Sequence, residues 1–119
     1  METFEQLEAR DDVREMIAQL RARADLGTCK LVPIDTPLGV VVVKTPSRGQ
    51  AAIAFTQMFD DDPGVKSKAM TGLFQMCIVH PAPAELAKLL DEFPFALTNT
   101  HAMGEFCIVT GNRRRDSAK

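Results

Sequence analysis

The sequence predicts an α+β fold, mainly helical: an N-terminal amphipathic helix, one β-hairpin at about residues 29–44, then three to four packed helices. Three observations carry this expectation. Apolar residues recur at i, i+3 and i+4 over most of the chain, the period of a helix with one buried face. Residues 29–44 instead break into short β-branched runs with turn residues between them. Pro and Gly then punctuate the segments, at Gly27, Gly39, Pro63, Pro81, Pro83, Pro94 and Gly111.

The 119 residues suffice for one domain, and 45% apolar with 25% charged residues is ordinary for a globular chain. Its organisation reads as a charged amphipathic helix, 1–27, a compact unit of hairpin plus helices, 28–111, and a basic flexible tail, 112–119, that carries Arg113, Arg114, Arg115 and Lys119.

Residues 3–25 read as one helix. Phe4 and Leu7 mark one side of its first turns, and Val13, Met16, Ile17, Leu20 and Ala24 continue it. Thr3 with Gln6 fits a capping box, acids crowd the first half, and Gly27 stops it. Its other face is charged, so it packs on its own domain or pairs with another chain. The runs CKLVPID and LGVVVVK then form the hairpin, turned by Thr36-Pro37 and Gly39, with Pro33 pushing the first strand to an edge. Val40–Val43 is apolar on both faces. The hairpin must therefore lie against helices or against a neighbouring subunit's strands, which makes Val41 and Val43 candidate pairing residues.

Residues 46–59 return to helical spacing, with Thr45 as cap, Pro46 in the first turn, and a stripe of Ala51, Ala52, Phe55 and Phe59 widened by Ile53 and Met58. In DDDPG, residues 60–64, Asp62 before Pro63 is a helix cap rather than a cation loop, because no Asp-x-Asp-x-Asp-Gly spacing is present. The helix 63–79 shows two apolar rows, Val65, Ala69, Leu73, Cys77 and Met70, Phe74, Ile78, and is the most buried; Pro81 ends it at His80. Helix 83–93 places Leu86, Leu89, Leu90 and Phe93 on one stripe, leaves Asp91 and Glu92 to solvent, and stops at Pro94. Residues 95–110 form a last helix capped by Thr98 or Asn99, whose IVTG end reads equally as a short strand.

Two near-repeats, MCIVHP at 76–81 and FCIVTG at 106–111, raise a metal question. Cys77, His80, His101 and Cys107 make a valid Cys2His2 zinc set. Both cysteines, however, precede Ile-Val pairs inside buried rows, where a free Cys serves as a small apolar residue. A Cys77/His80 nucleophile pair is disfavoured too, because a helix C-terminus opposes a thiolate. No phosphate-binding Gly loop, HExxH or Gly-x-Ser-x-Gly is present. The expectation is therefore no catalytic residue, no cofactor and no metal.

The net charge of −2 and the absence of Trp and Tyr argue against nucleic-acid binding. Three cysteines in apolar surroundings, an acidic start and no apolar run near ~20 residues argue for a reducing cytoplasm and against a membrane span.

The stretch MCIVHPAPAELAKLLDEFP is a helix end before Pro, then a Pro-led Leu-rich helix closed by aromatic-Pro. It resembles a recurrent segment of small tail assembly chaperones of tailed bacteriophages. Upstream, GVVVVKTPSRGQAAIAF is similar to their hairpin and following helix start, so the resemblance covers about residues 38–95. It implies a non-enzymatic protein of the host cell cytoplasm. Such a protein binds the tape measure protein, keeps it soluble and assists assembly of tail tube protein around it. Many of that family are also made in a longer, frameshifted form. The alternative is a structural accessory subunit of the virion, in tail or head, that pairs subunits through the hairpin, and a homo-oligomer fits either reading. Phe93, Phe95, Met103 and Phe106 flank the C-terminal half and serve either as contact residues for a partner or as core.

Overall fold

Four residues, Thr36 to Gly39, reverse the chain between two six-residue strands, β1 (Leu31–Thr36) and β2 (Gly39–Lys44). Gly39 takes φ +101, a region that costs an L side chain energy. The Thr36 hydroxyl fixes the turn, donating to the Gly39 carbonyl at 2.8 Å and accepting from the Leu38 N–H at 3.0 Å. The antiparallel register runs from Thr36↔Gly39 through Ile34↔Val41 and Val32↔Val43, and Pro33 faces Val42. In a ladder closed at Thr36↔Gly39, alternate pairs are hydrogen-bonded, and Pro33 falls on a pair that is not. Its missing N–H therefore costs the ladder nothing, as the sequence requires of an edge strand. The structure, a computed structural model, describes residues 1–27, 29–58 and 62–110, without the side chains of 51, 54, 55, 58 and 67. Phe59, Asp60, Asp61 and the basic tail 112–119 lie outside the described residues.

The first departure from expectation comes after α4 (Pro63–Cys77). Helix 63–79 was expected to run through Ile78 and Val79. It stops at Cys77, and Ile78–His80 becomes β3, antiparallel to β2 with Val43↔Ile78 and Val42↔His80 and an irregularity between them. The strand order is β1-β2-β3, so β2 is central. The physical reason is non-local. The outer backbone groups of β2 lie beside fully buried Val42 and Val43, and a second strand satisfies them. The other near-repeat behaves oppositely: FCIV stays helical to the end of α6 (Thr100–Val109).

One sheet face, Val32, Ile34, Val41 and Val43, joins Leu73, Phe74 and Cys77 of α4, Leu86 of α5 (Pro83–Glu92) and Phe106 of α6 in one core. Phe74 and Phe106 stack with ring centroids 4.5 Å apart and planes 4° from parallel. Leu31, Pro33 and Val42 project to the opposite face and are buried too, as are Leu7, Val13 and Leu26 of the N-terminal segment. The VVVV run is thus covered on both faces, as its composition required.

The N-terminal segment corrects a second expectation. The single helix 3–25 is two, α1 (Phe4–Glu8) and α2 (Asp11–Arg21), broken at Ala9 and Arg10. Leu7 and Val13 are both fully buried. Six residues apart on a continuous helix they would point about 120° apart; the break lets both turn inward. Arg10, extended in the break, bridges Asp12 and Glu2 at 2.7 and 3.0 Å. The Thr3–Gln6 capping box forms as read, and α1 packs on β1. Two contacts tie the chain start down. The Glu2 N–H donates to Asp35 Oδ2 at 3.0 Å, and His101 Nε2–H donates to the Glu2 carbonyl at 2.7 Å.

The other caps are local. Asp62 Oδ1 accepts from the Gly64 N–H at 2.8 Å with Pro63 at the first position of α4, and Asn99 caps α6. In α3 (Arg48–Met58) the cap moves from the expected Thr45 to Ser47, which exchanges hydrogen bonds with Gln50 in a capping-box pattern. A short 3-10 turn, Ala96–Thr98, separates α5 from α6.

Candidate functional site

Helix α4 turns Ala69, Met70, Leu73, Phe74 and Cys77 inward and presents Thr71, Gly72, Gln75 and Met76 on another side. Opposite these lie Pro83, Leu86, Ala87 and Leu90 of α5. Between the helices lie two neighbouring open hollows, about 350 and 360 Å³, that share Gln75 as lining and are together termed the trough. Gly72 keeps the α4 wall low: a Cβ there would meet nothing within 4 Å. Met76 stands on the rim 57% exposed, and its Sδ accepts from Gln50 Nε2 of α3 at 3.0 Å, which holds the rim against the neighbouring helix. Ile53 of α3 is also exposed. At the far end the trough reaches Pro94, and on either side of that proline Phe93 is 52% and Phe95 80% exposed.

The candidate contact residues therefore separate. Phe93 and Phe95 lie on the surface. Met103 is half-buried and packs against the core. Phe106, Val41 and Val43 are corrected to core positions: Phe106 is fully buried under Phe74, while Val41 and Val43 sit on the central strand, 0–1% exposed, with Val41 opposite Ile34 of β1 and Val43 between Val32 of β1 and Ile78 of β3. None of these three can meet a partner. Met76 and the low wall at Gly72 were missed. Both lie outside the apolar rows, and the one signal available was a glycine in the interior of an otherwise good helix.

The four zinc-set residues take up separate tasks. Cys77 ends α4 inside the core, where burial pushes its thiol pKa up, opposed more weakly by the Lys44 charge. His80 is not a helix-end cap but a strand residue opposite Val42; the α4 end is closed instead by the Ile78 N–H donating to the Gln75 carbonyl. His101 uses Nε2 on the Glu2 carbonyl and lies 3.9 Å from the buried Glu105 carboxylate. Cys107 is partly buried on α6. Among the described residues no three His, Cys, Asp or Glu side chains gather where one ion could bind them. Among them, too, no helix is long and apolar enough to cross a membrane.

No family model, no curated protein and no solved structure matches the chain.

Proposed function

We propose that this chain is a small, non-enzymatic tail assembly chaperone of a bacteriophage. In the host cytoplasm it would hold helical segments of the tape measure protein in the α4–α5 trough and so assist tail tube assembly. The observation that carries the reading is the trough itself. It has largely apolar walls interrupted by Thr71, Gln75 and Asp91, a low side at Gly72, a methionine on its rim and two exposed phenylalanines at its end. An amphipathic helix docks in such a groove through apolar side chains at i, i+3, i+4 and i+7, and methionine adapts to varied contacts without fixed geometry. The resemblance over residues 38–95 supports the same reading, because the trough is built from its second half. The accessory-subunit alternative has less support: β2, which carries Val40–Val43, is the central strand, and β1 is the hairpin's one edge left for pairing.

Co-expression with the tape measure protein of the same genome tests the reading. The expected result is a gain in soluble tape measure protein that Met76→Glu and Gly72→Phe each abolish while circular dichroism stays native. Unchanged solubility with the wild-type chain refutes it.

A further inference from the structure

Away from the trough, α2 and β1 enclose a second, shallower groove of about 300 Å³. Leu31, Ile17 and Ala18 are its apolar lining, and Arg14, Arg21 and Glu8 are its charged lining, two cations to one anion. The two arginines are seven residues apart, so they share one face of α2. Arg21 is steadied by Nη1 donating to the Cys29 carbonyl at 3.0 Å, which leaves other N–H groups of its fork directed elsewhere. Among the described residues Arg14 has no ion-pair partner within 4.0 Å. The groove is thus lined by apolar and, on balance, cationic residues. Its complement is an aromatic knob that carries carboxylates.

The chain itself has such a knob. At the end of α5, Asp91-Glu92-Phe93-Pro94-Phe95 is exposed throughout, and Phe95 is the most exposed of the large apolar side chains. Neither Asp91 nor Glu92 has an ion-pair partner among the described residues. At 80% exposure Phe95 does not fill the groove of its own chain.

We infer that the Asp91–Phe95 knob of one copy docks in the Arg14/Arg21 groove of a second copy. Phe95 covers Leu31 and Ile17, and the carboxylates meet the guanidinium groups, whose planar donors suit them. Each copy then offers one knob and one groove, so the contact is head-to-tail and extends to a ring or an open chain. The inference does not depend on the trough having a client.

Light scattering of the purified full chain across the micromolar to millimolar range, at low and high salt, tests it. The expected mass rises above the monomer with concentration and falls back with salt, as exposed ion pairs are screened. Arg14→Glu, which damages the groove, and Phe95→Ser, which damages the knob, should each weaken association by about tenfold or more. Both positions are exposed, so neither change threatens the fold. The deciding arm mixes the two variants: the intact knob of one fits the intact groove of the other, which gives a one-to-one dimer and nothing larger. A wild-type chain that stays monomeric overturns the inference. So does association that survives either substitution, and so does a mixture that stays monomeric.

Discussion

The Phe74–Phe106 stack offers the most direct check on how the core closes. Both rings are fully buried and nearly parallel. Their centroid separation of 4.5 Å exceeds the ~3.5 Å contact distance of two carbon planes, so the rings are offset, the favoured arrangement. Phe106→Ala would cost about 3–5 kcal/mol of a total near 5–15, enough to unfold a marginal domain. Leucine keeps most of the volume, so Phe74→Leu and Phe106→Leu are expected to cost about 1–3 kcal/mol each. The double variant should then be less destabilised than the sum, by about 0.5–1.5 kcal/mol, because the ring–ring term is lost only once. Urea unfolding measures this: at a slope of about 1–3 kcal/mol/M, each single variant should move the midpoint down by roughly 1 M. Costs that add to within about 0.3 kcal/mol refute the stack. A Phe106→Leu cost below about 0.5 kcal/mol refutes its burial.

Two further outcomes follow from single positions. Gly72→Ala should stabilise the chain by about 0.5–1 kcal/mol, since a Cβ there meets nothing and alanine prefers a helix, and calorimetry should find Tm raised by roughly 2–4 °C; a lower Tm contradicts the open wall of the trough. Burial raises the Cys77 pKa, so the folded state keeps a thiol proton that the unfolded state gives up as pH passes ~8.5. Its contribution is complete below that pH and declines above it. Urea midpoints should therefore fall more steeply in alkali for the wild type than for Cys77→Ala, and equal slopes contradict the assignment.

What the sequence made legible was local. Turn chemistry at Thr36 to Gly39, the Thr3–Gln6 box and the Asp62-Pro63 start each depend on neighbours within four residues, and each forms as read. Three features depend on partners far along the chain and were not legible. The break at Ala9 and Arg10 exists because Leu7 and Val13 must both reach the interior, which helical periodicity alone cannot reveal. Ile78–His80 leaves the helix because β2, more than thirty residues earlier, has an edge to satisfy. Val41 and Val43 are closed off by the helices packed over their sheet face, so the run that looked most like a subunit contact lies inside the molecule. Beside the trough, Phe93 was readable as a stripe residue next to a helix stop. Met76 was not, because a methionine outside the apolar rows looks like ordinary surface until a second helix stands opposite it.

Helix α4 is where stability and the proposed binding meet, and its spacing keeps them apart. Leu73, Phe74 and Cys77 turn to the core, while Gly72, Gln75 and Met76, on intervening positions, face the trough. Neighbouring residues thus answer to different constraints. A change at Phe74 acts on folding through Phe106, whereas a change at Met76 leaves every core contact in place. Gly72 stands between the two roles. Alanine there would strengthen the helix, yet each larger side chain narrows the trough. A glycine that lowers helix stability by up to about 1 kcal/mol has no packing reason at this position, since a Cβ added there would meet nothing within 4 Å. A low wall on the proposed binding groove supplies a reason that packing does not.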